Sequence, residues 1–99
     1  MAFGMEILQK KENNELGIFY LKTTSGNAEL WYQINKNTNV MRIYHTFTPN
    51  QERGKGLAEK LAEHAFDFAI KNNYLVKPDC DYIKHFVEKH PEFKEYISE

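Results

Sequence analysis

The sequence predicts an α+β domain: an antiparallel four-stranded meander, a long helix, a parallel fifth strand and a C-terminal helix. Three observations point there. Four segments of the first half are strand-like and joined by short polar turns, as in an antiparallel sheet. At Gly56 the pattern switches to helical periodicity. A short apolar segment follows that helix, and a strand–helix–strand crossover makes the strands it joins parallel.

Ala2–Gln9 reads as the first strand and Lys10–Glu15 as a polar turn. Leu16–Thr23 is the second strand, with Leu16, Ile18 and Tyr20 on one face and Phe19 and Leu21 on the other. Two apolar faces suggest a strand covered on both sides. Ser25-Gly26-Asn27 is a hairpin signal. Ala28–Asn35 alternates cleanly, with Ala28, Leu30, Tyr32 and Ile34 facing one way. After the turn Lys36–Asn39, Val40–Thr48 is a fourth strand rich in β-branched and aromatic residues.

From Gly56 to Lys71 the apolar residues form one arc of a helical wheel, from Leu57 and Leu61 to Phe66 and Ala69. Glu59, Lys60, Glu63, His64, Asp67 and Lys71 form the other, and Ile70 alone is out of place. This is an amphipathic helix lying on a sheet. Asn72-Asn73 stops it, and Tyr74–Lys77 is a short fifth strand. A second helix spans about Cys80 to Lys89, capped by Asp79 or Asp81 and ended by Pro91. Glu92–Ile97 adds a helical turn or two.

All 99 residues read as a single domain. Hydrophobic residues make up 41% and charged residues 27%, which excludes a disordered chain. The formal net charge of -1 argues against a nucleic-acid partner, which calls for a basic excess. One cysteine, Cys80, excludes an internal disulfide and a cysteine-based zinc finger. His64, His85 and His90 lack the spacing of a ligand set, so no metal is expected. Neither an apolar run of membrane-spanning length nor a signal peptide is legible, so a cytoplasmic protein without a membrane partner is expected.

The chemistry concentrates between the fourth strand and the long helix. Gln51-Glu52-Arg53-Gly54-Lys55-Gly56 places two glycines at the first turn of a helix. Glycines there let backbone N–H groups converge on a ligand. The helix N-terminus adds unpaired donors and the positive end of its dipole, which suits phosphate or pyrophosphate. A Walker loop is absent, and Glu59 stands where a dinucleotide fingerprint needs its third glycine.

This segment resembles the acetyl-CoA-binding signature of the GNAT N-acetyltransferase superfamily, Gln/Arg-x-x-Gly-x-Gly/Ala. With His45-Thr46, the string Pro78-Asp79-Cys80-Asp81-Tyr82 and His90-Pro91-Glu92-Phe93, it is similar to the minimal, short-chain branch of that superfamily. The resemblance implies a GNAT-like fold whose fourth and fifth strands splay around the pantetheine arm. It implies acetyl-CoA as cosubstrate and an amine as acceptor, with a non-catalytic CoA-binding or interaction module as the alternative. Thr46, Phe47 and Thr48 would then meet the pantetheine amides. The N–H groups of Arg53, Gly54, Lys55, Gly56, Leu57 and Ala58 would hold the pyrophosphate.

Two catalytic candidates follow. Cys80 stands at a helix start, which favours a thiolate, between Asp79 and Asp81, which oppose one. It reads as a buried thiol, as a carrier of the acetyl group, or as a residue lining the thioester pocket. His45 shares a strand face with Met41, Ile43 and Phe47 and reads as a core residue or as a general base. The resemblance also offers Tyr82 for protonating the departing thiolate, although its position reads as packing. Glu59 and Glu63 read as a solvated helix face.

Overall fold

The computed structural model describes residues 6–98. Its five-stranded sheet runs β1 (Leu8–Lys11), β2 (Leu16–Thr23), β3 (Gly26–Asn35), β4 (Val40–Phe47) and β5 (Leu75–Pro78), in chain order across the sheet. The first three pairings are antiparallel and β4–β5 is parallel. Between β4 and β5 lie a 3₁₀ turn, Asn50–Glu52, and helix α1, Leu57–Lys71. Helix α2, Asp81–Lys89, and a 3₁₀ segment, Pro91–Tyr96, complete the order. This is the expected α+β, GNAT-like arrangement.

One layer of helix covers one face of the sheet. Phe19, Leu21, Leu30, Tyr32, Met41, Ile43 and Val76 point inward against Leu61, Ala65, Phe66 and Ala69 of α1 and Ile83 and Phe86 of α2, all buried. A second packing unit stacks Phe66, Phe86, Phe93 and the His90 ring, which fastens the C-terminal segment to both helices.

Four expectations are corrected. The first strand is Leu8–Lys11, later than Ala2–Gln9, because its ladder to β2 begins at Leu8↔Tyr20. Residues 2–5 of the expected strand lie outside the described residues. Second, β2 is covered on one face only: Phe19 and Leu21 are buried, whereas Leu16, Ile18 and Tyr20 are half-exposed. Third, Cys80 is the N-cap of α2 and makes no side-chain cap bond. Asp79 is unavailable for capping because the Arg42 guanidinium holds its carboxylate at 2.6 Å. Fourth, His45 does not share a face with Met41 and Ile43. The ladder pairs Trp31 with His45 and Tyr32 with Ile43, leaving Tyr44 as an extra residue on β4. This β-bulge reverses the alternation beyond it.

Gly17 is required by close approach. A Cβ there would collide with the hydroxyl and Cζ of Tyr32. That ring is buried, and its hydroxyl accepts a 2.7 Å bond from Gln9 Nε2, so it has nowhere to move. Gly17→Ala is expected to cost about 1–3 kcal/mol by overpacking. The melting midpoint should fall by roughly 4–8 °C for each of these. An unchanged midpoint would mean that Tyr32 swings aside freely.

His64 gives a pH signature. It packs edge-on against Phe19 at 4.7 Å between ring centroids. Burial pushes its pKa below the ordinary value; Asp67 opposes this and Lys71 adds to it. The unfolded chain therefore binds this proton more readily than the folded one. The resulting stability is complete above the unfolded value of ~6.5 and is lost as pH falls through the folded value. His64→Phe should flatten the decline in melting midpoint measured from pH 7.5 down to 5. An identical decline in the variant would assign the proton uptake to other groups.

Candidate active site

The site forms where β4 and β5 part. Their ladder ends at Ile43↔Pro78, and the Asp79 N–H donates a last bond to the Ile43 carbonyl at 2.9 Å. Beyond it β4 continues to Phe47 while the chain turns into α2, so this edge of β4 loses its strand partner. Thr46 Oγ1 lies 3.5 Å from Cys80 Sγ across the opening.

A cavity of about 400 Å³ lies beside this fork. Its walls are Thr46 and Phe47 from β4, Thr48 just after it, Glu52, Arg53, Gly54 and Gly56 from the loop, Leu57, Ala58 and Glu59 from α1, and Tyr82 from α2. Gly54 and Gly56 have φ of 82° and 77°, the left-handed region that favours glycine. A Cβ at either would meet nothing within 4 Å. Gly56 caps α1 without a side-chain bond, so the first N–H groups of the helix are left for a ligand. The donor set, the dipole and the vacant space over both glycines fit a pyrophosphate.

Sequence reasoning missed Glu52. It is a buried charged residue at 8% exposure, and Lys55 Nζ donates to it at 2.9 Å. The Lys55 ammonium and then a bond from Ser25 hold its carboxyl below the ordinary range, so it stays ionised. Lys55 is thus paired with Glu52, itself a wall residue, and Arg53 is the basic residue among those lining the cavity. A charged loop residue gives no sign in sequence that a distant hairpin will cover it.

Cys80 and His45 are not brought together. Cys80 is half-buried against Thr46 on the helix side of the sheet. His45 is exposed on the opposite face, edge-on to Trp31 at 5.5 Å. Neither lines the cavity. Tyr82 does, and burial raises its pKa, with Glu59 and Glu63 adding to the effect, so the phenol stays protonated. Glu59 is more than a solvated face: it borders the cavity and lies 3.2 Å from His90 Nε2.

Residues 18–96 match the model of a protein family described as GCN5-related N-acetyl-transferase. Among individual relatives, Protein NATD1 of Bos taurus is 35% identical over 52 residues, covering 52% of this chain and 46% of the relative. The Homo sapiens protein of that name is 33% identical over the same length, covering 52% and 46%. That of Danio rerio is 33% identical over 70 residues, covering 69% and 62%. The matches thus span about half the length of the mammalian relatives.

The two glycines can be tested without a ligand. A left-handed conformation costs a residue other than glycine about 1–2 kcal/mol, and less for asparagine. Gly56→Ala should lose that much stability in urea titration and Gly56→Asn less. Equal losses would mean that the loop relaxes out of the left-handed region.

Proposed function

The chain belongs to the GCN5-related N-acetyltransferase family, and on that premise we propose that it moves an acetyl group from acetyl-CoA to a primary amine. The observation that carries the reading is the glycine cradle at the start of α1, open to a cavity that ends at the β4–β5 fork. Backbone N–H groups from Gly54 to Ala58 would bind the pyrophosphate, while Arg53, whose own N–H is held by the Asn50 carbonyl, adds the charge. The edge of β4 at Thr46 and Phe47, continued by Thr48, would meet the pantetheine amides, and its N–H groups would polarise the thioester carbonyl.

Acetyl-CoA supplies an activated acyl group: the amine nitrogen bonds to the carbonyl carbon, the C–S bond breaks, and CoA leaves with the electron pair. The protein then handles the protons. His45, exposed on the outer face, is assigned to take the proton that the amine loses. Tyr82, protonated on the cavity side, donates a hydrogen bond to the departing sulfur. Cys80 lies beside Thr46 with His45 on the opposite face of the sheet, so no base is at hand to activate the thiol, which favours direct transfer. The single thiol also suits a reducing compartment, and we place the protein in the cytoplasm.

Acetyl-CoA at ~100 times its dissociation constant should stabilise the fold by about 2.7 kcal/mol, a clear rise in melting midpoint. Gly54→Asn tolerates the backbone conformation but fills the cradle, so it should fold and lose that rise. With an amine present, His45→Gln and Tyr82→Phe should retain the midpoint shift and slow turnover, His45→Gln by a factor on the order of 10²–10⁴. Cys80→Ala should stay active. No midpoint shift at saturating acetyl-CoA would sink the assignment. An acetyl adduct on Cys80 in intact-mass spectra, discharged by amine, would replace direct transfer with a covalent route.

A further inference from the structure

The outer face of the sheet carries a cluster of rings around one carboxylate. The bulge at Tyr44 turns both Tyr44 and His45 toward Trp31, whose indole meets them edge-on at 6.4 Å and 5.5 Å between centroids. Trp31 Nε1 donates to Glu29 Oε1 at 3.0 Å, fixing a carboxylate against the ring cluster. Among the described residues Glu29 has no basic partner, whereas the Arg42 guanidinium already sits over the neighbouring Tyr44 ring at 5.0 Å. Unpaired carboxylate and aromatic faces together are the chemistry that holds an alkylammonium.

From this arrangement we propose that Glu29 and Trp31 bind the distal ammonium of an aliphatic diamine whose other nitrogen is the one acetylated. The inference rests on the transferase reading. If the cofactor fills the fork from the helix side, the acceptor must arrive from the outer face, where His45 stands. The reacting nitrogen has to be neutral to attack, so a carboxylate placed to hold a cation serves a second charge. Glu29 pairs with Phe47 and Trp31 with His45, which makes Glu29 a diagonal neighbour of His45. Such neighbours lie roughly 7–8 Å apart, a distance for a spacer of several methylenes. A small diamine is favoured over an extended peptide because β3 is paired along both edges. This part of the face therefore offers a peptide no free backbone groups.

Trp31 is the sole tryptophan of the chain, so its fluorescence reports on this face directly. Titration of the free protein with 1,4-diaminobutane should give a saturable change, with the uncharged 1,4-butanediol binding at least about tenfold more weakly. Glu29→Gln keeps an oxygen for the Trp31 N–H and should erase the difference between the two ligands. Equal affinities in the wild type, or a preference that Glu29→Gln leaves intact, would overturn the receptor. A lysine-containing peptide that binds more tightly than the diamine, independently of Glu29, would overturn it in favour of a protein substrate. Butylamine acetylation alongside a failed titration would leave the transferase reading standing, which separates the two failures.

Discussion

Ile43 accepts the hydrogen bond from Asp79, the residue after β5, that ends the pairing of β4 with β5, and the site follows from that termination. Pro78 has no N–H to offer the ladder, and the Asp79 side chain is held by Arg42 on the outer side. The chain is thereby fixed at the point where it leaves the sheet, and α2 starts immediately. Were the two strands paired further, the edge of β4 at Thr46 and Phe47, continued by Thr48, would be satisfied and closed. Because they part, backbone donors and acceptors remain available beside the α1 N-terminus, and Tyr82 enters from the far side.

The bulge on β4 divides labour between the faces. Up to Ile43 the strand alternates in register with the core; after Tyr44 the alternation is inverted. Thr46 therefore faces the helices and touches Cys80, while His45 faces outward beside Trp31. One inserted residue thus puts the thiol and the imidazole on opposite sides of the same strand. A cooperating Cys–His pair is hard to build from that geometry. A histidine on the outer face and a thiol against Thr46 on the helix side follow from it naturally.

Most of the fold was legible because it rests on periodicity and turn chemistry. The α1 face from Leu57 to Ala69 repeats without interruption, and the turns after Thr23 and Asn35 carry their own signals. The cradle was legible too, since paired glycines before an amphipathic helix have a local physical meaning. The bulge was not. Apolar, aromatic or β-branched residues occur at both parities of 40–48, so alternation alone gives no sign that Tyr44 is surplus. The same blindness made β2 look covered on two faces, because nothing local distinguishes a helix-covered face from an open aromatic one. Asp79 looked like a cap because its true partner, Arg42, is 37 residues away and is met only through the parallel ladder.

The Lys55–Glu52 pair has a consequence for how a ligand is selected. With Lys55 bound to Glu52, the loop presents little net charge to solvent, and the attraction left belongs to backbone dipoles and Arg53. Dipolar fields fall off faster with distance than those of free charges, and ionic screening has less of them to remove. Anions in general are therefore drawn weakly from afar. A molecule that threads the fork and reaches the cradle at the same time gains both sets of contacts, so length and shape, more than charge, decide what stays bound.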